Sequence, residues 1–301
     1  MHIQAAKGRQ EPLGHTLLHG PPGLGKTTLA FILAREMGAN IRITSGPTLE
    51  KPGDLASILS NLQQGDALFI DEIHRLRPVV EEMLYSAMED YALDLVIGKG
   101  PTARSMRLAI KPFTLIGATT KAGSMSAPLR DRFVNQFKLS FYDIPEMQLV
   151  VERSAEILAM AVDAPAAHRI AKSSRFTPRI ANRLLRAVRD YAQVQGRERI
   201  DIAAVEHTLD ALEIDEDGFD ATDRLILSAI VDMFNGGPVG LSTIAAVLAD
   251  EEETIEDVYE PYLLQQGYMQ RTPKGRVATK KAYEKLGRVL PEGMQATMFE
   301  G

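Results

Sequence analysis

The sequence predicts an α/β domain, a parallel sheet flanked by helices, followed by a small all-α domain and a C-terminal winged helix. Three observations carry this. Short apolar runs alternate with helical patterns over the first half of the chain, which is how parallel strands covered on both faces read. From about 144 to 212 the periodicity is helical throughout. After 221, three helical stretches precede two short strands joined by a Pro/Gly turn, the element order of a winged helix. The boundaries are set at 1–143, 144–216 and 217–301.

The first strand, HTLLHG (15–20), runs into a glycine-rich turn and a helical stretch at 26–37. IRIT (41–44), ALFIDE (67–72), FTLIGATT (113–120) and QFKLSFY (136–142) are the further strands, with helical stretches at 54–63 and 76–90. LDLVI (93–97) and SMRLAI (105–110) bracket GKGPTA and predict a β-hairpin inserted before the fourth strand. MQLVVERSAEILAMA, AAHRIAKSS, PRIANRLLRAVRDYAQVQ and IAAVEHTLDAL form the helical domain. Glu213, Asp215, Glu216, Asp217, Asp220 and Asp223 surround Gly218 and are expected as a linker or an exposed helix start. DRLILSAIVDMF, LSTIAAVLA and TIEDVYEPYLLQQ are the last helices, and GYMQRTPKGRVAT is the hairpin.

Composition excludes several classes. There is no cysteine, so disulfide frameworks and thiolate chemistry are out, and a reducing, cytoplasmic setting is expected. The first residues, MHIQAAKGRQEPLGH, have no signal-peptide core, and no run approaches the roughly 20 apolar residues of a membrane span, so no membrane partner is expected. Net charge is −6, so any nucleic-acid contact must come from a local basic patch.

GPPGLGKT (20–27) fits the pattern G-x-x-x-x-G-K-[ST], after a strand and before a helix. Backbone N–H groups of such a loop wrap a phosphate chain, and the helix N-terminus adds favourable potential. The nucleotide-binding set is Gly20, Pro21, Pro22, Gly23, Leu24, Gly25, Lys26, Thr27 and Thr28. Lys26 reaches the β- and γ-phosphates of ATP, and Thr27 ligates Mg²⁺. Asp71, at the end of a buried strand, is the second metal ligand, and Glu72 is the base that orients the attacking water. His74 is assigned no role. In GATT, Thr119 or Thr120 holds that water or senses the γ-phosphate. Arg179, opening a helix in TPRIANRLLR, either swings onto the γ-phosphate or is a helix-surface arginine. In APLRDRF (127–133), Arg130 and Arg132 flank Asp131; guanidinium forks suit phosphate or carboxylate, so they meet a phosphate or pair with local acids.

These strings together resemble one family. HGPPGLGKTTLA, SGPTLEKPGDLASIL, LFIDEIHRL, GATTKAG, PLRDRF, TPRIANRLLR and EPYLLQQGYMQRTPKGRVAT are similar to the RuvB family of AAA+ motors for Holliday junction branch migration, from about residue 13 to 289. The resemblance implies an α/β P-loop AAA+ ATPase domain, a helical lid and a winged helix. It implies a homo-hexameric ring around double-stranded DNA, Holliday junctions as substrate, RuvA as a partner docking on the 93–110 hairpin, and RuvC as an indirect one. It assigns Thr120 to sensor 1, Arg132 to an arginine finger acting on the neighbouring subunit's nucleotide, and Arg179 to sensor 2; Arg130 is then structural.

Three places depart from the family pattern: about a dozen residues precede the first strand, Val134 follows RDRF in place of glycine, and Phe176 replaces a glycine before Arg179. Slower ATP turnover than in a complete relative is expected. In the winged helix, Glu256, Asp257 and Glu260 give the third helix an acidic surface. The basic residues lie later, at Arg271, Lys274, Arg276, Lys280, Lys281, Lys285 and Arg288, so the wing residues Arg271, Lys274 and Arg276 are the expected contacts to DNA backbone. A clamp-loader-like ATPase lacks such a basic winged helix, and a catalytically weakened DNA-binding subunit has no chemical need for Lys26, Asp71 and Glu72; these are the alternative readings.

Overall fold

The computed structural model describes residues 1–97 and 104–291. The hairpin tip GKGPTA and the last ten residues of the 217–301 segment lie outside them. The chain forms two compact units, Met1–Ser140 and Phe141–Gly301.

The first unit opens with a helix absent from the sequence expectation, α1 (His2–Arg9), whose only buried residue is Ala6. β1 (Thr16–His19), α2 (Lys26–Met37), β2 (Ile41–Ser45), α3 (Pro52–Ser60), β3 (Ala67–Asp71) and α4 (Pro78–Asp90) follow. The antiparallel pair β4 (Ala92–Ile97) and β5 (Arg104–Ala109) comes next. Then come β6 (Thr114–Thr119), α5 (Ala127–Asp131) and β7 (Asn135–Lys138). The sheet is parallel, in the order β2-β3-β6-β1-β7. Successive strand residues point to opposite faces, and both faces are apolar. Leu17, Leu68, Ile70 and Leu115 pack with residues of α3 and α4; Leu18, Phe69, Ile116 and Ala118 pack with Ala30 and Ala34 of α2. This two-sided burial aligns the C-terminal ends of β1, β3 and β6 along one edge, where ligands bind in open α/β sheets.

His15 enters this core as a polar residue. Leu115 N–H donates to its Nδ1 at 2.9 Å, so Nε2 carries the proton and donates to the Met88 carbonyl at 3.1 Å. Burial pushes the His15 pKa below its ordinary 6.5, and the Met88 carbonyl offsets this only in part. The neutral ring therefore contributes stability that is complete above pH 6.5 and is lost as the pH falls toward the lowered folded value. Urea unfolding between about pH 7.5 and pH 5 is expected to show this slope. His15→Leu is expected to remove the slope and to cost about 1–3 kcal/mol, since two backbone groups lose their partner.

The second unit holds α6 (Ile144–Ile157), α7 (Ala164–Lys172), α8 (Pro178–Val194) and α9 (Ile202–Ala211) around one apolar cluster. The helical pattern is broken by β8 (Ala161–Val162) and β9 (Arg199–Ile200), a two-residue parallel pair too short for periodicity to reveal. α10 (Ala221–Ser228) continues as a π-helical stretch, Ala229–Met233. α11 (Leu241–Leu248), the one-turn α12 (Glu252–Thr254) and α13 (Glu260–Gln265) precede the wing strands β10 (Met269–Thr272) and β11 (Gly275–Ala278) and a final helix, α14 (Lys280–Lys285). Val239 bridges Arg276 and adds a third short strand contact. No helix among the described residues is long and apolar enough to cross a membrane.

The acidic stretch is a helix start rather than a linker, though Asp223 within it is buried. Asp215 Oδ1 accepts the N–H groups of Asp217 and Phe219, and Asp220 caps α10 by accepting from Thr222 and Asp223. Asp223 is fully buried, and burial pushes its carboxyl up to about 7 against the pull of Arg175. Phe176 and Val134, the two residues standing where the family has glycine, differ. Phe176 is left-handed, with φ 56°, which costs an L-residue about 1–2 kcal/mol. Val134 is 80% exposed and is not among the left-handed residues, so glycine's conformational freedom is not needed there.

Candidate functional site

The loop after β1 supplies the phosphate cradle. Gly20 has φ 143°, and a Cβ there would lie 2.4 Å from the Leu139 carbonyl oxygen, so only glycine fits. Gly25 precedes α2 with φ 90° and brings no side chain to cap it, and the N-terminus of this twelve-residue helix favours an anion. Lys26 is buried, and its Nζ donates to the Gly20 and Pro21 carbonyls at 2.9 Å each. Thr27 is half-buried and Thr28 exposed beside it, while Leu24 anchors the loop in the core. His19, at the end of β1, has its pKa lowered by burial and then by Lys138 and Lys26.

β3 and β6 deliver the acids and the threonines. Asp71 ends β3, and its Oδ1 accepts the Glu72 N–H at 3.0 Å. Glu72 itself is left-handed, with φ 46°, a disfavoured backbone of the kind found where a side chain must be re-aimed. Its Oε2 accepts from the Thr120 hydroxyl at 3.2 Å and faces the Thr120 amide at 3.4 Å. Thr119 turns elsewhere, with its Oγ1 2.9 Å from His74 Nδ1. Of the two threonines, Thr120 is the one whose hydroxyl meets Glu72. His74 also lies 3.2 Å from Glu72 Oε2, so it joins Thr119 to the carboxylate that Thr120 holds. Sequence reasoning missed this; the only signal was the two-residue spacing from Glu72, which carries no meaning until the left-handed turn is known.

Arg132 follows α5 and rests on α4. One terminal nitrogen donates to the Pro128 carbonyl at 2.8 Å, the other lies 3.1 Å from Glu89 Oε1, and the guanidinium carbon stands 4.4 Å over the Tyr85 ring. Its Nε is buried and has no partner. Asp131, the expected local partner, is not used. Arg179 is exposed in the first turn of α8, with Arg183 and Arg186 on the same face.

In the winged helix the structure revises the charge reading. Glu260 is buried at the start of α13, and both wing arginines converge on it. Arg276 Nε donates to its Oε1 at 2.5 Å, and Arg271 Nε to its Oε2 at 2.9 Å; Arg271 also reaches Glu256 at 3.1 Å. Lys285 pairs with Asp215 and Asp217, and Arg288 with Asp232. Arg276 is thus a structural partner of Glu260 with a side chain only 16% exposed, whereas Lys274 stands exposed in the β10–β11 turn. Arg276→Ala is expected to cost about 3 kcal/mol in thermal unfolding, because a buried carboxylate loses half of its compensation. Lys274→Ala is expected to leave stability alone and to weaken DNA binding uniformly across sequences, reducing the salt slope by about one.

Three family models align end to end with this architecture. Residues 1–139 match the Holliday junction DNA helicase RuvB P-loop domain, 142–215 the RuvB AAA lid domain, and 216–287 the RuvB C-terminal winged helix domain. The chain belongs to the RuvB family. Among solved structures it is similar to the Thermotoga maritima RuvB Holliday junction branch migration motor, at 49% identity over 96% of this chain and 92% of that one, with a TM-score of 0.87. Two single-residue mutants of the same Thermotoga RuvB superpose with TM-scores of 0.88 and 0.89, at the same identity and coverage. The chain is therefore a RuvB-type P-loop ATPase with a lid and a winged helix, and the loop around Lys26 lies within the matched P-loop domain.

The cradle fits a nucleotide with Mg²⁺. Among the described residues no three His, Cys, Asp or Glu side chains gather to hold a metal alone. Mg²⁺ in nucleotide sites takes one or two protein ligands and completes its shell with phosphates and water, which is what Thr27 and Asp71 offer.

Proposed function

We propose that this chain is an ATP-driven DNA translocase that moves the branch point of Holliday junctions in recombination and DNA repair, working as a homo-hexameric ring in the cytoplasm. The observation that carries the reading is the Glu72 carboxylate held by Thr120 at the same sheet edge as the uncapped phosphate loop. Lys26, the backbone N–H groups of Gly23, Leu24 and Gly25, and the Thr28 region bind the phosphates of ATP. Thr27 and Asp71 would hold Mg²⁺, which would supply charge neutralisation to the phosphates. Glu72 accepts a proton from water, and Thr120 keeps its carboxylate aimed. Arg179 is the sensor that meets the γ-phosphate, and Arg132 stabilises charge on the nucleotide of the adjacent subunit. The working division of the chain remains 1–143, 144–216 and 217–301.

RuvA docks on the β4–β5 hairpin, whose second strand displays Met106 and Leu108 to solvent, and RuvC acts through the assembly rather than on this chain. Lys274 and the exposed part of Arg271 touch the phosphate backbone of duplex DNA without reading bases. The winged-helix match leaves a clamp-loader-like role without support. The test is a synthetic four-way junction incubated with the full chain, ATP and RuvA. Junction conversion to duplex products that requires ATP and rises with RuvA is expected. ATP hydrolysis that responds to duplex DNA while the junction stays intact would overturn the reading.

A further inference from the structure

Among the described residues Arg175 is the one fully enclosed arginine, 4% exposed. It lies in the lid, yet the charged partners of its guanidinium all lie at the entry to the winged helix. Nε donates to the Gly218 carbonyl at 3.1 Å, and a terminal nitrogen donates to Asp220 Oδ2 at 2.6 Å and Asp223 Oδ2 at 2.5 Å. The rings of Tyr259 and Tyr262 flank the guanidinium at 5.7 and 5.6 Å, and the Tyr262 hydroxyl donates to the Asp217 carbonyl. Gly218 is pressed onto the lid side of this joint: a Cβ there would lie 2.9 Å from the Ser173 carbonyl oxygen.

Only Phe176 and Thr177 separate Arg175 from Pro178, the first residue of α8, and Arg179 comes next. Those few residues have no slack. Arg175 and Phe176 are both left-handed, with φ 51° and 56°. The Phe176 carbonyl accepts the Tyr142 N–H at 3.3 Å, its ring lies 6.2 Å from Tyr262, and Thr177 donates through both N–H and Oγ1 to the Ser174 carbonyl. Two successive L-residues in a disfavoured region persist only where the surroundings over-determine them. Here the carboxylates of α10 do so. Drawing the guanidinium away from them would strand buried charges, so the first turn of α8 must follow α10.

We propose that Arg175 is a positioning residue for Arg179, anchored on Asp220 and Asp223, through which the winged helix sets where Arg179 stands. This rests on the reading of Arg179 as the γ-phosphate sensor. By reciprocity of linked equilibria, the γ-phosphate then biases the winged helix through the same joint.

The test uses the full chain and the affinities of ADP and ATPγS, measured by displacement of a fluorescent nucleotide. The readout is the ratio of the ADP to the ATPγS dissociation constant. Arg179→Ala is expected to lower that ratio about tenfold. Asp220→Asn and Asp223→Asn are each expected to lower it about threefold with ADP affinity unchanged, and to lower it no further when combined with Arg179→Ala. Arg175→Lys, which keeps charge but not the fork, is expected to behave like the asparagine variants. A joint that only stabilises the fold would depress the melting temperature and leave the ratio alone. Wild-type ratios in both asparagine variants, or effects that multiply with Arg179→Ala, overturn the proposal. An unchanged ratio in Arg179→Ala instead removes the sensor reading, and this proposal with it. Should Asp223→Asn fail to fold, Asp220→Asn decides the matter, because an asparagine still caps α10.

Discussion

Glu72→Gln is expected to lower ATP turnover by about 10²–10⁴-fold while nucleotide affinity stays within about twofold. Glutamine keeps the size of the side chain, and its amide oxygen can still accept from the Thr120 hydroxyl that now holds Oε2 at 3.2 Å. What it loses is the ability to take a proton from water. The left-handed backbone at Glu72 is unaffected, so the phosphate loop and Asp71 keep their places. Steady-state hydrolysis with and without four-way junction DNA and RuvA, set beside a fluorescent-nucleotide titration, checks both halves. A variant that retained more than about a tenth of the wild-type rate would move the base to another residue.

The second large effect concerns Arg132. Arg132→Ala is expected to reduce turnover about 10³–10⁵-fold, the range seen where a trans arginine stabilises charge on a transferred phosphoryl group. In the single chain this guanidinium donates to the Pro128 carbonyl and rests on Glu89 and the Tyr85 ring, with its Nε–H buried and unpaired, so meeting a phosphate of another copy would require it to leave Glu89. Lys26→Ala disables the loop on one side of a seam, and Arg132→Ala disables the cation on the other. In an equal mixture of the two variants, about a quarter of head-to-tail seams pair an intact loop with an intact arginine. Hydrolysis by the mixture, where each variant alone is inert, is the expected result. Silence in the mixture, under conditions where rings form, removes the shared-site picture.

The parts of this chain that were legible in its sequence are those set by local pattern. The phosphate loop, the Asp71–Glu72 pair and the five sheet strands each announce themselves within about eight residues, because strand burial and glycine backbone freedom are local demands. The helical lid and the order of the winged helix are legible for the same reason. What was hidden depends on residues distant in sequence. The basic run from 268 to 288 holds a single acid, Glu284, yet Arg271, Arg276, Lys285 and Arg288 are met by Glu256, Glu260, Asp215, Asp217 and Asp232 from other elements. Counting charges along the chain cannot see that. The helix start near Gly218 was legible, but not that Asp220 and Asp223 there are held by Arg175. His74 and Thr119 could be placed only once the turn after β3 fixed which side chains face Glu72.

With Glu260 holding both wing arginines, the proposed grip on the duplex would rest on Lys274 and the exposed part of Arg271. Such a hold would have little to break at each step, so friction along the helix would stay low. A ring of copies would keep its track by the number of light touches rather than the firmness of any one, and a moderate rise in ionic strength should make it let go.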